Sequence, residues 1–309
     1  VLLLGFSAGI PLALTGGTLQ TWMSRSNVSL TTIGAFTLVG LPYALKFLWA
    51  PLLDRYQPPL LDRRRGWILV CQAALAICLA ILAYSQPASN LALSALVCLL
   101  IAFFSATQDI SIDAYRREVL RDEELGLGSS MGVGGYRVGM LLAGAGSLAL
   151  AQLLSWQTAY LVMAACMVVA IGATLFSPVA PEHPYKPKTL QAAVVEPLKQ
   201  FFQRRAAVEI LVFILLYKIG DQMASDMLNP FYIKMGYQKI EIAEISKIFG
   251  FWAVFVGSFL GGVLLLRVNL YKCLWGFGIL QALSTLGFSW LAVLPAPSLA
   301  WLTVVVAFE

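Results

Sequence analysis

Residues 91–113 read LALSALVCLLIAFFSATQDISID. Eighteen positions, 91–108, pass without a charge. A helix that crosses the hydrocarbon core of a bilayer needs about 20 mostly apolar residues, so this run is long enough to span one. Asp109 and Asp113 then close it. They stand four residues apart and so share one helix face. A charge inside lipid costs several kcal/mol, and a carboxylate there must be paired, protonated or turned to water. The run therefore implies a membrane solvent and a polar interior.

The same rule applied outward gives nine spans and the start of a tenth: 1–22, 32–53, 67–85, 91–113, 127–154, 157–177, 207–232, 241–266, 271–294 and 298–309. Composition agrees. The chain is 59% hydrophobic and 12% charged, with a mean hydropathy of +0.79, whereas soluble domains carry about 25% charged residues. Too few charges are present to cover a water-soluble surface. The fold class is all-α and polytopic.

The chain opens inside an apolar run at Val1-Leu2-Leu3-Leu4 and stops inside another at Phe308-Glu309. Neither a charged leader nor a small-residue cleavage site is visible, so the reading expects trimmed ends and no signal peptide. Cys71, Cys78, Cys98, Cys166 and Cys273 all fall in apolar segments. Their spacing fits small core residues rather than a disulfide framework or zinc. The single histidine, His183, sits beside prolines without clustered ligands, so no metal site is expected.

Basic residues set the orientation. The loops after spans two, four, six and eight, counted with Lys272 at the start of span nine, hold 14 Lys or Arg, and the other loops hold 3. Basic loops stay in the cytoplasm, which places the N-terminus there too. The longest connection, 178–206, contains Pro178, Pro181, Pro184, Pro187 and Pro197. It reads as a cytoplasmic linker between a six-helix bundle at 1–177 and the first part of a second bundle at 207–309. Its stretch from Thr189 to Arg205 can form an amphipathic helix on the membrane surface. Six helices, a basic linker and a second set form the layout of the major facilitator superfamily, whose related halves surround a midplane site.

GxxxG spacing at Gly5/Gly9, Gly128/Gly132, Gly135/Gly139 and Gly257/Gly261 allows close helix packing. The same smooth faces would also let span five slide or rock.

Intramembrane charges need a reason. Asp109 is a candidate for proton coupling or substrate contact, or a structural partner of Lys46 in span two or Arg137 in span five. Asp113, nearer the cytoplasmic end, carries the same alternatives. Lys46 and Arg137 can also snorkel to the interface. Span seven carries Tyr217-Lys218-Ile219-Gly220-Asp221-Gln222 and then Asp226. Lys218 and Asp221 can neutralise each other, or line a cavity that Lys247 in span eight also faces. Near span one, Thr15, Thr18, Gln20 and Trp22 can contact a sugar-like ligand or simply sit in the interfacial aromatic belt. The loop after span two reads Asp54-Arg55-Tyr56, then Asp62-Arg63-Arg64-Arg65-Gly66. It is either a solvated basic loop or an ion-pair latch between helix ends. No GxxxxGK[ST] run is present, so nothing suggests ATP as the drive. The net charge of +5 belongs to topology, not to nucleic acid.

Several runs together resemble the AmpG muropeptide permeases of Gram-negative bacteria. They include Gly9-Ile10-Pro11-Leu12-Ala13-Leu14-Thr15, Gly17-Thr18-Leu19-Gln20 and Trp22-Met23 in span one. They continue with Lys46-Phe47-Leu48-Trp49, Pro51-Leu52-Leu53-Asp54-Arg55-Tyr56 and Arg63-Arg64-Arg65-Gly66-Trp67. Gln108-Asp109-Ile110, Asp113-Ala114, Gly135-Tyr136-Arg137, Tyr217-Lys218 and Gly220-Asp221 complete the set. The loop after span two is also similar to the D-R-x-G-R-R signature of major facilitator transporters, with a longer spacer holding Pro58 and Pro59. The span-four run also resembles the acetyl-CoA transporters.

The resemblance implies a major facilitator fold in the bacterial inner membrane. It implies proton-driven import of GlcNAc-anhydromuropeptides for peptidoglycan recycling, with a link to β-lactamase induction in some bacteria. It implies lipid, protons and a small-molecule substrate as partners, with no cofactor and no enzymatic step. Under it, Arg137, Lys218 and Lys46 receive substrate carboxylates. Gln20, Gln108, Gln222, Trp22 and Tyr136 contact the rest of the substrate, and Asp109, Asp113 or Asp221 binds the coupled proton. Two alternatives stay open: a transporter of acetyl-CoA or drug-like solutes, and a non-transporting membrane receptor or enzyme.

Overall fold

The structure is a computed structural model that describes residues 1–181, 190–294 and 297–308, with the helical backbone alone at 190–193, 217, 220, 221, 224–226, 229, 239, 240, 243 and 247. His183 and Glu309 lie outside the described residues, as do residues 182–189 of the linker. The side chains of Tyr217, Asp221, Asp226 and Lys247 lie outside them too. The chain forms two units, Val1–Val194 and Val195–Glu309.

The first unit contains α1 (Leu2–Arg25), α2 (Leu30–Leu48), a short α3 (Ala50–Arg55), α4 (Arg63–Tyr84), α5 (Leu91–Val119), α6 (Leu125–Leu153) and α7 (Trp156–Leu175). A further helix, α8, spans Leu190–Phe202. Small polar residues start several of these helices by satisfying an end amide. Asn90 accepts from Leu93 N at 3.2 Å and Ser155 from Thr158 N at 3.0 Å. Predicted span two, 32–53, is not one helix. It passes into 3-10 turns at Phe36–Gly40 and Lys46–Leu48, and Trp49 separates it from α3. Pro42 and Pro51 open the α-helical turns after these breaks, where a missing N–H does least harm.

Helices α1 and α6 each contain one widened turn, at Leu14–Thr18 and Leu142–Gly146. In lipid a backbone carbonyl freed by such a turn must find a donor. The Thr18 hydroxyl donates to the Ala143 carbonyl at 3.0 Å, and the Tyr160 hydroxyl donates to the Leu14 carbonyl at 2.9 Å. Around these bonds lies the main core, which includes Leu14, Met23, Leu79, Ile101, Tyr160 and Met163. All five cysteines are free, and all but the half-buried Cys166 are buried.

Glycine decides how closely α1 and α6 approach. A Cβ at Gly5 would overlap the carbonyl of Gly132, and one at Gly9 the carbonyl of Tyr136. In the other direction, Cβ atoms at Gly135 and Gly139 would overlap the carbonyls of Leu2 and Phe6. The pairs Gly5/Gly9 and Gly135/Gly139 thus form one backbone-to-backbone seam, to which Gly132 of a third pair lends its carbonyl while Gly128 faces the Leu120 side chain. The fourth does not: a Cβ on Gly257 would meet nothing within 4 Å.

The second unit contains α9 (Ala207–Lys234), α10 (Glu244–Leu265), α11 (Leu270–Val293) and α12 (Leu299–Phe308). Tyr232, Tyr237, Leu291, Leu302, Val305 and Val306 form its core. Among the described residues, eight helices are long and apolar enough to cross a membrane. Predicted span seven, 207–232, lies within the continuous helix α9, which carries Lys218 inside it.

Candidate functional site

The polar end of α5 serves two faces. Successive helix residues point about 100° apart, so Gln108 and Asp109 diverge. Gln108 turns into the protein and is fully buried. Its Nε2 donates to Ser7 Oγ on α1 at 2.7 Å. The same oxygen accepts from Gln72 Nε2 on α4 at 3.3 Å, and Gln72 Oε1 accepts from the Thr174 hydroxyl on α7 at 2.7 Å. Ser7 spends its own hydroxyl proton on the Leu4 carbonyl at 2.7 Å, so its hydrogen-bonding capacity is full. The chain Gln108–Ser7–Gln72–Thr174 ties four helices together through polar contacts alone. Gln108 Oε1 remains buried without a partner.

Asp109 turns the other way, into a cavity of about 500 Å³ between α1, α5 and α6. Its wall includes Gly5, Ala8, Asp109, Asp113, Arg116, Gly132, Tyr136 and Arg137. Lys46 Nζ approaches Asp109 Oδ2 at 3.8 Å. The 3-10 turn at Lys46–Leu48 and the bond from Trp49 Nε1 to Thr107 Oγ1 at 3.0 Å hold this part of the chain against α5. Asp113 pairs with Arg116 Nη2 at 2.8 Å. Arg137 forms no ion pair or hydrogen bond among the described residues, and its Nε is buried without a partner.

The other predicted residues lie elsewhere. Gln20 is half-buried on α1. Trp22 packs in the core, stacked on Trp156 with ring centroids 5.8 Å apart and against Tyr160 at 5.2 Å. Gln108 does not line the cavity. Lys218 and Gln222 are exposed on α9 in the second unit.

The basic loop forms a dense set of ion pairs. Arg64 Nη1 meets Asp54 Oδ1 at 2.8 Å, while its Nη2 and Nε meet Glu118 Oε1 at 2.6 and 2.8 Å. Arg63 Nη1 donates to the Asp54 carbonyl at 2.8 Å. Arg65 pairs with Asp62 and donates to the Ser177 carbonyl at 2.6 Å. Arg55 instead lies over the Tyr56 ring, 5.3 Å from its centroid. Asp54, Arg64 and Glu118 thereby join the ends of α3, α4 and α5. Arg65 and the Tyr115 hydroxyl, 2.7 Å from the Pro178 carbonyl, add the segment after α7.

Sequence reasoning missed Glu118, because it ended the fourth span at Asp113. It also missed Ser7, Gln72 and Thr174. A lone amide in an apolar span, such as Gln72, is itself a signal of interhelical hydrogen bonding. Among the described residues, no three His, Cys, Asp or Glu side chains gather as metal ligands.

Among the described residues, eight helices long and apolar enough to cross a membrane, with a cavity lined by charged residues between α1, α5 and α6, define a multi-pass membrane protein. The chain belongs to the Major Facilitator Superfamily, whose pattern it matches over residues 1–308. It is 44% identical over 311 residues to the anhydromuropeptide permease of Escherichia coli K12, an alignment covering 100% of this chain and 63% of that protein. The chain thus spans less than two thirds of that relative's length. It is also 42% identical to an uncharacterized Haemophilus influenzae protein, over 99% of this chain and 74% of the relative. A putative transporter, AmpG 4 of Rickettsia conorii, is 35% identical over 100% of this chain and 77% of its own length. The resemblance drawn from spans one and four stands.

Proposed function

We propose that this protein is a secondary transporter that imports anhydromuropeptides across the bacterial inner membrane, driven by the proton gradient. The observation that carries the reading is the Asp109 cavity, in a chain 44% identical to an anhydromuropeptide permease. A muropeptide carries sugar hydroxyls and peptide carboxylates, and a cavity with charged walls suits both. The basic helix ends face the cytoplasm under the positive-inside rule. The products feed peptidoglycan recycling and, in bacteria with the inducible enzyme, influence β-lactamase expression. No bond is made or broken in the solute, so the protein is not an enzyme and uses no cofactor.

Asp109 takes the coupled proton. A charged carboxylate in a membrane cavity is stabilised by its cation, here Lys46 at 3.8 Å. Protonation from the outer aqueous side removes the charge and frees Lys46. Loss of that proton to the cytoplasm restores the pair and resets the cycle. Asp113 is the weaker candidate, since Arg116 already holds it. The Asp54–Arg64–Glu118 cluster is a conformational latch at the cytoplasmic end.

The test is uptake of labelled GlcNAc-anhydromuropeptide by proteoliposomes, with and without an inward proton gradient. Gradient-stimulated accumulation supports the reading. Gradient-indifferent uptake removes the proton coupling, and no uptake by folded protein removes the substrate assignment.

A further inference from the structure

Charges around the cavity do not cancel. Lys46 is matched by Asp109, and Arg116 by Asp113. Arg137 is left over, on the same wall, with a buried Nε that lacks an acceptor. A lone cation in a low-dielectric site is unfavourable unless a counter-charge arrives. Its helix neighbours three and four residues away, Val133, Gly134, Met140 and Leu141, carry no polar side chain that could answer it.

The glycines also shape the space. Gly5 and Ala8 on α1 and Gly132 on α6 line the cavity with small residues, and the Cβ direction of Gly132 faces Arg116. Arg137 shares this wall. A guanidinium fork matches a carboxylate with two parallel hydrogen bonds, which an ammonium cannot reproduce.

We infer that Arg137 is the anion anchor of this cavity and binds a carboxylate of the transported solute. The inference rests on the transporter reading above and narrows it. Of the three cations expected to receive substrate carboxylates, Lys46 is engaged by Asp109 and Lys218 lies on α9 of the second unit. Arg137 alone combines a place on the cavity wall with an unanswered charge.

The direct test is binding, measured with the protein in its full natural length and in detergent. The probe is a GlcNAc-anhydromuropeptide with its peptide carboxylates free, compared with the same compound converted to carboxamides. Wild type should prefer the free acid by at least about tenfold in Kd, the size of one charge-assisted hydrogen-bonded contact. Arg137→Gln should reduce the preference to within about twofold. Arg137→Lys should keep part of it, since the charge remains and the fork is lost. Equal wild-type affinity for the two forms overturns the anchor. So does an unchanged preference in Arg137→Gln, or in Arg137→Lys should the Gln variant fail to fold. Native mass spectrometry covers a lipid phosphate as the other anion. If Arg137→Gln loses bound phosphatidylglycerol but keeps the acid preference, the anchor is overturned in favour of lipid. Acid-selective binding that depends on Arg137, together with absent uptake in proteoliposomes, supports the anchor while rejecting the transport reading.

Discussion

Lys46 Nζ stands 3.8 Å from Asp109 Oδ2, across the gap between the second and fourth predicted spans. The two side chains are 37% and 18% exposed, so the pair is neither dry nor fully solvated. Such a pair can hold a charge in place and still open when that charge is removed.

The pair should be energetically coupled. A double-mutant cycle with Lys46→Met and Asp109→Asn, read by thermal unfolding in detergent, should give a coupling of about 1 kcal/mol. The double variant should be more stable than the two single losses added together. Strict additivity would mean that the side chains are neighbours without interaction.

The basic cluster should depend on Arg64 above all. Arg64 is 9% exposed and serves both Asp54 and Glu118, which are 48% and 13% exposed. Removing it leaves Asp54 without its cation and Glu118 with only Arg63 Nη2, 3.7 Å away. Arg64→Gln should therefore destabilise by about 3 kcal/mol. Glu118→Gln should cost less, because an amide oxygen still accepts, and Asp54→Asn should stay below about 1 kcal/mol. Unfolding midpoints of the three variants check the order.

The glycine seam should be intolerant of one methyl group. Gly139→Ala would overlap the Phe6 carbonyl, which belongs to helix backbone and cannot swing aside. A loss of about 2 kcal/mol or more is expected from forced separation of α1 and α6. Gly172→Ala meets nothing within 4 Å and should be neutral or gain up to about 1 kcal/mol from helix propensity. Equal effects at the two sites would contradict the seam.

Ser7 should matter more than its size suggests. Ser7→Ala removes the acceptor shared by Gln72 and Gln108, leaving amide donors unsatisfied where no water replaces them. The expected loss is about 2 kcal/mol. Thr174→Val, which removes the donor to a single acceptor at the other end of the chain, should cost less.

The spans were legible because uninterrupted apolar runs have few outcomes in any solvent. Their ends were less so. Arg116, Arg117 and Glu118 read as the start of a loop, yet α5 continues to Val119. Charges end the lipid-facing part of a helix, not the helix, and the Asp113–Arg116 pair supports the extra turn. Trp49 breaks the second span between two prolines that were visible all along, at Pro42 and Pro51. The site was legible as residue types but not as partners. Lys46 and Arg137 were equal candidates to pair Asp109, and only the fold separates them. The divergence of Gln108 from Asp109 follows from the 100° step between neighbours and was already implicit in the sequence. Glu118 could not be found from spacing, because its partner Arg64 is 54 residues away.

The most direct test of the central claim compares wild type with Asp109→Asn in proteoliposomes that are loaded with unlabelled GlcNAc-anhydromuropeptide or left empty. The account predicts that Asp109→Asn abolishes accumulation driven by an inward proton gradient while preserving exchange of labelled for unlabelled solute. Gradient-driven accumulation at the wild-type level by Asp109→Asn would contradict it.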